Sequence, residues 1–142
     1  MLKNFSKKDF TATNVLIIIT VLIYIIQINI SNGGLLFGLN LYFLVYSFWW
    51  QPLTSMFAHG GIAHLGMNMF VLWQFGNLIE RFKGAKELVA LYLITGLLTS
   101  LFSFAYIFYL DHNVNLVGAS GAICALLGYV AYYDKAQRNG II

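Results

Sequence analysis

Charged side chains are scarce in this sequence: 9% of its 142 residues are Asp, Glu, Lys or Arg, whereas 60% are hydrophobic. A water-soluble domain usually carries about 25% charged residues, so much of this surface faces something other than water, and we expect lipid. The 8 basic residues and 5 acidic residues give a net charge of +3. That charge is too small and too scattered for a phosphate-binding stripe, so no nucleic-acid partner is predicted.

Cysteine and proline are scarcer still. The only cysteine, Cys124, has no partner for an intrachain disulfide, so cysteine content says nothing firm about the redox compartment. A single proline and 13 glycines, in a chain this apolar, exclude a collagen-like or disordered protein. The length predicts one domain, and we find no linker or internal repeat that would divide residues 1–142.

Long apolar runs are what the sequence has in abundance. A transmembrane helix needs about 20 mostly apolar residues, and four segments approach that length: 14–30, 63–79, 87–110 and 114–133. The first follows lysines, as the core of a signal peptide does, but no small-residue cleavage site follows it. We therefore interpret it as a retained membrane anchor and the whole chain as an all-α, multi-pass integral membrane protein.

The basic residues predict the orientation of these spans, because such residues favour the cytoplasmic side of short loops. Four spans place the N-terminus, the 80–87 loop and the C-terminus on one side of the membrane. That side holds all eight basic residues: Lys3, Lys7, Lys8, Arg81, Lys83, Lys86, Lys135 and Arg138. The other side keeps only Asp111 and the chargeable His112. Both termini are therefore predicted to be cytoplasmic, and we expect the plasma membrane of a bacterium.

Residues 35–50 form a further apolar segment, LLFGLNLYFLVYSFWW. If this segment crossed the membrane, every later helix would be reversed and the basic 80–87 loop would lie outside. Its tryptophans, tyrosines and glycines instead suit the outer headgroup region. The sequence thus predicts an interfacial segment here.

Polar side chains inside two spans indicate a site, because such groups are costly in lipid. His64 and Asn68 are four residues apart and share one helix face. Counted at 1.5 Å per residue from Glu80, Asn68 lies about 18 Å and His64 about 24 Å above the inner interface. Counted in the same way from Asp134, Ser120 lies about 21 Å above it. The three side chains are therefore predicted to share one layer.

The chemistry of that layer suggests nucleophilic catalysis. Ser120 lies two residues after Gly118 and directly before Gly121, so its hydroxyl is unhindered, and a helix start offers backbone N–H groups that can hold an oxyanion. Donors from His64 and Asn68 could complete such an oxyanion hole. In the alternative interpretation Ser120 bonds within its own helix, the glycines are packing residues, and the two side chains tie helices together.

Four short motifs together resemble the rhomboid intramembrane serine proteases: TSMFAHGG at 54–61, HLGMNM at 64–69, ERFKG at 80–84 and GASG at 118–121. The resemblance implies a bundle of six or more helices, of which this chain would hold four, with a membrane-embedded first loop. It implies Ser120 as nucleophile, His64 and Asn68 as oxyanion donors, and His59 as a residue shaping the mouth of the site. Gly118, Gly121, Glu80 and Arg81 belong to its motifs, whereas Gln51 stands where many members have arginine.

The resemblance also implies a catalytic histidine on a sixth helix, which residues 1–142 do not include. His59 and His112 fall in outer loops and His64 matches the oxyanion position, so none replaces it. We therefore expect a partial chain that is inactive alone, because a serine without a base is a poor nucleophile. The implied whole protein cleaves transmembrane substrates near their outer end and uses no cofactor.

Other functions fit the sequence less well. A non-catalytic rhomboid relative that binds transmembrane helices remains open. A channel or transporter would be expected to carry intramembrane carboxylates or broken helices, which the spans lack. A metal site from His59 and His64 is disfavoured, since a spacing of five does not share a helix face and no third ligand is near. An α/β-hydrolase is disfavoured because the serine motif lacks its second glycine and no strand precedes it.

Small residues also recur along the last span, at Gly121, Ala125 and Gly128. Such stripes let another backbone approach closely in lipid. We expect this stripe to receive a further helix, or to be open or occupied by a second copy in this chain. Packing of the first or second helix against it is the alternative.

Overall fold

The computed structural model describes residues 11–140, so Lys3, Lys7 and Lys8 lie outside the described residues. The described chain forms seven helices: α1 (Ala12–Asn29), α2 (Gly33–Phe37), α3 (Tyr42–Val45), α4 (Gln51–Thr54), α5 (Ile62–Lys83), α6 (Ala85–Tyr109) and α7 (Ser120–Arg138). Within residues 11–140 there is no strand, and the β-type pairing is one isolated bridge between Leu39 and Leu116. The prediction of an all-α protein is confirmed for this part of the chain.

Two helices, α1 and α6, are long and apolar enough to cross a membrane by length and composition. Large apolar side chains on their outer faces are exposed, for example Leu22 and Ile25 on α1 and Leu98 and Phe102 on α6. Apolar surface on this scale is not expected on a monomer in water. It is expected where the surrounding solvent is lipid.

The helices α1 and α5 run antiparallel, as hydrogen bonds at their two ends show. At one end Glu80 accepts hydrogen bonds from the backbone N–H groups of Ala12, at 2.8 Å, and Thr13, at 3.0 Å. The Thr13 hydroxyl donates to the same carboxylate at 2.8 Å. At the other end the Gln27 amide bonds to the backbone of His59. Glu80 therefore satisfies donors that the first turn of a helix leaves without intrahelical partners.

The last two long helices bring their charged ends to the same side as Glu80. The Tyr129 hydroxyl of α7 donates to Glu87 in the first turn of α6, at 2.8 Å. The Lys83 ammonium at the end of α5 lies 3.8 Å from the centre of the Tyr133 ring of α7. The start of α1, the end of α5, the start of α6 and the end of α7 thus meet at one end of the bundle.

The core between the long helices is apolar and closely packed. Leu72, Leu88, Tyr92 and Leu126 are fully buried there. Glycine permits a close helix contact: a Cβ at Gly76 of α5 would lie 2.8 Å from the Thr13 side chain of α1. This close packing fixes the positions of α1 and α5 relative to each other.

Two loop segments meet at the opposite end of the bundle. The Asn115 side chain donates to the Gly34 carbonyl at 2.8 Å and accepts from the Asn40 amide at 2.9 Å. Together with the Leu39–Leu116 bridge, these bonds hold the segment after α1 against the segment after α6. The predicted interfacial segment 35–50 contains the end of α2 and all of α3, with Tyr46 and Trp49 exposed.

Three helix boundaries differ from the predicted spans by four residues or more: the end of α5 and both ends of α7, which continues to Arg138 beyond the predicted residue 133. The fourth span was expected to start at residue 114, but α7 begins at Ser120, so the predicted start is wrong. Residues 114–119 are not helical because Leu116 pairs with Leu39 and Gly118 adopts a φ of +121°. The helix that contains the second predicted span, 63–79, continues to Lys83.

The Glu80 cap predicts a pH dependence of stability. Burial raises the pKa of this carboxyl group, but the hydrogen bonds from Thr13 and Ala12 outweigh burial and leave the pKa below its ordinary value of 4.5. A lowered folded-state pKa means that the stabilisation is complete above the ordinary pKa and is lost as the pH falls through the folded-state pKa. We expect Glu80→Gln to lower the free energy of unfolding at pH 7 by about 1 kcal/mol, a typical effect for a helix cap.

Thermal unfolding of the purified full-length protein in detergent, at neutral pH and at about pH 3, would measure this effect. Wild type and Glu80→Gln should differ at neutral pH and converge in acid. Glu87→Gln is the matched control, because Glu87 lies at the same end of the bundle and makes its side-chain bond to a hydroxyl group. An equal difference at both pH values would show that the charge of Glu80 does not stabilise the start of α1.

Candidate active site

The first two site residues lie on the first two turns of α5. His64 is exposed and Asn68 is buried, and their spacing of four places both on one face of the helix. They lie at the end of the bundle opposite Glu80 and the other charged helix ends. Arg81, which shares a motif with Glu80, is exposed at that far end and is not part of this site.

The loop before α7 reaches this face of α5 through Gly118. The Gly118 N–H donates to the Ser55 carbonyl at 2.9 Å, which anchors the loop to the segment after α4. Its φ of +121° is a conformation that residues with a side chain rarely adopt, so glycine is required here. The backbone can therefore turn sharply two residues before Ser120.

Gly118 lies beside His64 and Asn68. A Cβ built on Gly118 would lie 2.8 Å from His64 Cε1, 3.0 Å from His64 Nε2 and 3.6 Å from Asn68 Nδ2. A side chain at this position would therefore displace the His64 ring, whereas its distance to Asn68 is an ordinary van der Waals contact. The structure thus brings the GASG motif beside the two polar residues of α5 at Gly118.

Ser120 is the first residue of α7 and its side chain is exposed. It lines a pocket of about 120 Å³ together with Gly118 and three other serines, Ser55, Ser100 and Ser103. Among residues 11–140, no side chain or carbonyl hydrogen-bonds to the Ser120 hydroxyl. The alternative in which this hydroxyl bonds within its own helix is therefore not observed.

The backbone around Ser120 offers free donors. The first hydrogen bond of α7 runs from the Ile123 N–H to the Ala119 carbonyl, at 3.0 Å. Within the described part of the chain, the N–H groups of residues 120–122 have no partner. Donors of this kind at a helix start stabilise negative charge. A serine at this position has oxyanion-stabilising groups next to its own hydroxyl.

His59 is the most completely enclosed of the polar residues near the site. It is 1% exposed, its Nδ1 lies 3.0 Å from the Phe57 carbonyl, and its Nε2 lies 2.9 Å from Asn68 Nδ2. Its ring centre lies 5.0 Å from that of His64. Burial lowers the pKa of His59 below its ordinary 6.5; the hydrogen bond to Phe57 raises the pKa and the neighbouring His64 lowers it further. The ring is therefore neutral at pH 7.

Sequence reasoning missed Gln27, which holds His59 from α1. Its Nε2 donates to the His59 carbonyl at 2.8 Å, and its Oε1 accepts from the His59 N–H at 3.0 Å. The sequence contained one indication that Gln27 has a partner. Gln27 is a buried amide in the last turn of a mostly apolar helix, and a buried polar side chain needs a partner.

The small-residue stripe of α7 does not form one open groove. A Cβ at Gly121 would clash with the Thr99 side chain of α6, so α6 of the same chain covers this end of the stripe. A Cβ at Gly128 would meet nothing within 4 Å. The expectation of a stripe that is open, or occupied by another copy, is therefore wrong at Gly121. Local spacing could not reveal that α6 approaches there.

Three known proteins illustrate what this chain resembles in sequence. Rhomboid protease AarA of Providencia stuartii is 31% identical over 155 residues, covering 95% of this chain and 55% of that protein. Rhomboid protease GluP of Bacillus subtilis (strain 168) is 37% identical over 91 residues, covering 64% of this chain and 17% of that protein. Rhomboid-like protein 11, chloroplastic, of Arabidopsis thaliana is 37% identical over 91 residues, covering 63% of this chain and 31% of that protein.

This chain spans between 17% and 55% of the length of these three relatives. A family model described as the Rhomboid domain matches residues 46–142, which include α5, α6, α7 and the loops that form the site. Because that match covers more than half of the sequence, and because α1 and α6 present apolar faces suited to lipid, the chain is an integral membrane protein that belongs to the Rhomboid family.

Proposed function

We propose that the full-length protein is an intramembrane serine endopeptidase of the rhomboid type, which cleaves transmembrane proteins near their outer end. The observation that carries the proposal is the position of Gly118 beside His64 and Asn68, two residues before Ser120 at the start of α7. We infer that the Ser120 hydroxyl, these two side chains and the free N–H groups of residues 120–122 act together on the scissile carbonyl group. Acyl transfer needs this set of groups.

In the proposed reaction the Ser120 oxygen attacks the carbonyl carbon of the scissile peptide bond, and a base takes the hydroxyl proton. The carbonyl oxygen becomes an oxyanion held by His64, Asn68 and the N–H groups at the start of α7. The base returns this proton to the departing amine, whose loss leaves an acyl-enzyme; water then hydrolyses the acyl-enzyme and restores the Ser120 hydroxyl. We assign the base to none of the three histidines: both His59 ring nitrogens are engaged, His64 is a donor, and His112 is exposed in the 111–119 loop.

The general base is therefore proposed to be the histidine that the family resemblance implies on a later helix, and residues 1–142 alone are expected to be inactive. The proposed fold of residues 1–142 is one rhomboid-like domain with four transmembrane helices of an expected six, and with a membrane-embedded first loop formed by residues 35–50 and the turns after them. The proposed spans lie within α1, α5, α6 and α7. Of these helices, α1 and α6 are long and apolar enough to cross a membrane by length and composition.

The proposed orientation places both termini in the cytoplasm of a bacterium. Lys83, Glu87 and Arg138 lie with Glu80 at one end of the bundle, whereas Gly118 and His59 lie at the other. Basic residues mark the cytoplasmic end of short loops. The site would then open toward the outer surface of the plasma membrane, where single-span substrates present their outer ends.

The experiment that tests the function is cleavage of a single-span membrane protein by the purified full-length protein in liposomes, with the cut mapped by mass spectrometry. Cleavage within or next to the outer end of the substrate helix supports the proposal. We expect His64→Ala and Asn68→Ala each to lower kcat by about 10²–10³, the usual effect of losing one oxyanion donor.

Asn77→Ala is the matched control for the Asn68 variant, since Asn77 lies on the same helix and bonds only to the Trp73 carbonyl one turn away. It should leave kcat within about twofold of wild type, since it removes no group from the oxyanion hole. If Asn68→Ala and Asn77→Ala behave alike, the assignment of Asn68 as an oxyanion donor is wrong.

A second candidate function is a non-catalytic relative that binds transmembrane helices. One observation favours it: within residues 11–140 no base is bonded to the Ser120 hydroxyl. A serine-directed fluorophosphonate distinguishes the two, because it labels a serine only where a base and an oxyanion hole activate it. Labelling of Ser120 in the full-length protein supports the protease, and its absence in a folded, substrate-binding protein supports the second function.

A further inference from the structure

His59 and Asn68 form a buried pair whose hydrogen atoms are determined by the groups around them. His59 Nδ1 faces the Phe57 carbonyl at 3.0 Å. A carbonyl oxygen only accepts hydrogen bonds, so Nδ1 carries the proton. In a neutral ring Nε2 then carries a lone pair, and the Asn68 amide nitrogen donates to it at 2.9 Å. The neutral histidine therefore requires the nitrogen of the Asn68 amide, not its oxygen, to face the ring.

The same Asn68 nitrogen is the atom that faces the catalytic loop. It lies 3.6 Å from the position of a Cβ on Gly118. One of its two hydrogens is used by His59, and no residue in the described part of the chain accepts the other. The tautomer of His59 thus decides whether Asn68 presents a donor or an acceptor to the loop that carries Ser120.

Gln27 holds the backbone of His59 in place. Its amide binds both the N–H and the carbonyl of His59, at 3.0 Å and 2.8 Å. The histidine backbone is consequently fixed to α1, and the ring is enclosed between α1 and α5. Because the His59 backbone is restrained, we expect a change in the charge of its ring to be accommodated by the Asn68 amide.

We propose that His59 is a positioning residue: its neutral, Nδ1-protonated form holds the Asn68 amide with a donor toward the oxyanion, and protonation of Nε2 turns that amide over. This inference rests on the proposed function only for the role of the oxyanion. When Nε2 gains a proton, the Asn68 nitrogen and Nε2 are both donors and repel each other. Rotation of the amide by 180° brings its oxygen to Nε2 and removes the donor from the site.

The groups that face His59 affect the pH at which its ring gains the second proton. From α5 the titratable group is His64, with ring centres 5.0 Å apart; α1 presents the uncharged Gln27 amide, and the preceding loop presents the Phe57 carbonyl. Burial lowers the pKa of His59, and the neighbouring His64 lowers it further against the opposing effect of Phe57. The change is therefore expected on the acid side of 6.5.

The first experiment reads the tautomer directly and needs no protease activity. Nitrogen NMR of the full-length protein in detergent micelles, with ¹⁵N-labelled histidine assigned by His59→Gln, distinguishes a protonated from an unprotonated ring nitrogen. We expect Nδ1 protonated and Nε2 unprotonated at pH 7.5, with Nε2 gaining its proton below pH 6.5. An Nε2-protonated neutral ring, or a His59 that stays neutral down to pH 5, would overturn the inference even if the protein is a protease.

The second experiment measures kcat of wild type and Asn68→Ala as a function of pH. The titration of the general base affects both proteins and cancels in their ratio. We expect a ratio of about 10²–10³ at pH 7.5 that falls at least tenfold by pH 5, with KM little changed. A ratio that does not vary with pH contradicts the inference, because a merely structural His59 would not produce a pH-dependent ratio.

Two His59 variants complete the test. His59→Gln can accept a hydrogen bond from Asn68 but does not titrate, so the ratio of its kcat to that of the His59→Gln/Asn68→Ala double variant should become independent of pH. His59→Leu offers no acceptor and should lower kcat toward the value for Asn68→Ala. If His59→Leu fails to fold, the pH dependence of the wild-type ratio and the NMR result still decide the question. If no variant cleaves substrate, the proposed function fails and the tautomer is decided by NMR alone.

Discussion

Replacing Ser120 with alanine is expected to abolish cleavage of a transmembrane substrate by the full-length protein. Removal of the nucleophile from a serine hydrolase lowers kcat on the order of 10⁶-fold, because the remaining groups cannot form an acyl-enzyme. Stability should be almost unaffected, since within residues 11–140 no hydrogen bond is made to the Ser120 hydroxyl. Cleavage in liposomes and thermal unfolding in detergent measure the two effects separately.

Ser31→Ala is the matched control, because Ser31 is an exposed serine in the turn after α1, at the same end of the bundle as the site. It should cleave substrate as wild type does. Full activity of Ser120→Ala would exclude serine-protease chemistry for this protein. Loss of activity together with loss of folding in Ser120→Ala would contradict the observation that its hydroxyl carries no structural bond.

Replacing Gly118 with alanine is expected to damage stability and catalysis together. A φ of +121° is strained for any residue with a side chain, and such strain costs about 1–3 kcal/mol. The new Cβ would also lie 2.8 Å from His64 Cε1, so the ring must move. Displacement of this donor should lower kcat by about 10²–10³ beyond any loss of folded protein, as measured by kcat per folded molecule.

Gly66→Ala is the control for this substitution. Gly66 lies between His64 and Asn68 in sequence, but a Cβ there meets nothing within 4 Å. Because alanine is favoured over glycine within a helix, we expect unchanged kcat and equal or slightly greater stability.

The double variant Gly118→Ala/His64→Ala tests whether Gly118→Ala lowers kcat by displacing His64. If Gly118→Ala acts by displacing His64, the losses in kcat will not add; full additivity would show that it acts elsewhere.

Two parts of the candidate site were predictable because each lies within one short segment, residues 64–68 and residues 118–121. A spacing of four places His64 and Asn68 on one helix face in any α-helix, and small residues around Ser120 leave its hydroxyl free. The family motifs added the roles of these groups. The prediction went wrong at the start of α7, because the pairing of Leu116 with Leu39 keeps residues 114–119 out of the helix.

The rest of the site could not be predicted because it depends on segments far apart in the chain. Gln27 and His59 are separated by 32 residues, and Glu80 caps a helix start 68 residues away. A buried amide or carboxylate needs a partner, but sequence alone does not say which of many groups supplies it. The contact of Thr99 with Gly121 has the same origin, since the distance between α6 and α7 is set by the packing of both helices.

The sequence by itself determined where the long helices lie and which residue types could carry chemistry, because hydropathy and helical periodicity are properties of single segments of about 20 residues. Only the tertiary structure decided which groups meet. It set the φ of Gly118 that brings the loop against His64, the Gln27 amide that holds His59, and the hydrogen bond that orients Asn68. These are distances and directions between helices, and they exist only once the apolar faces of those helices have packed.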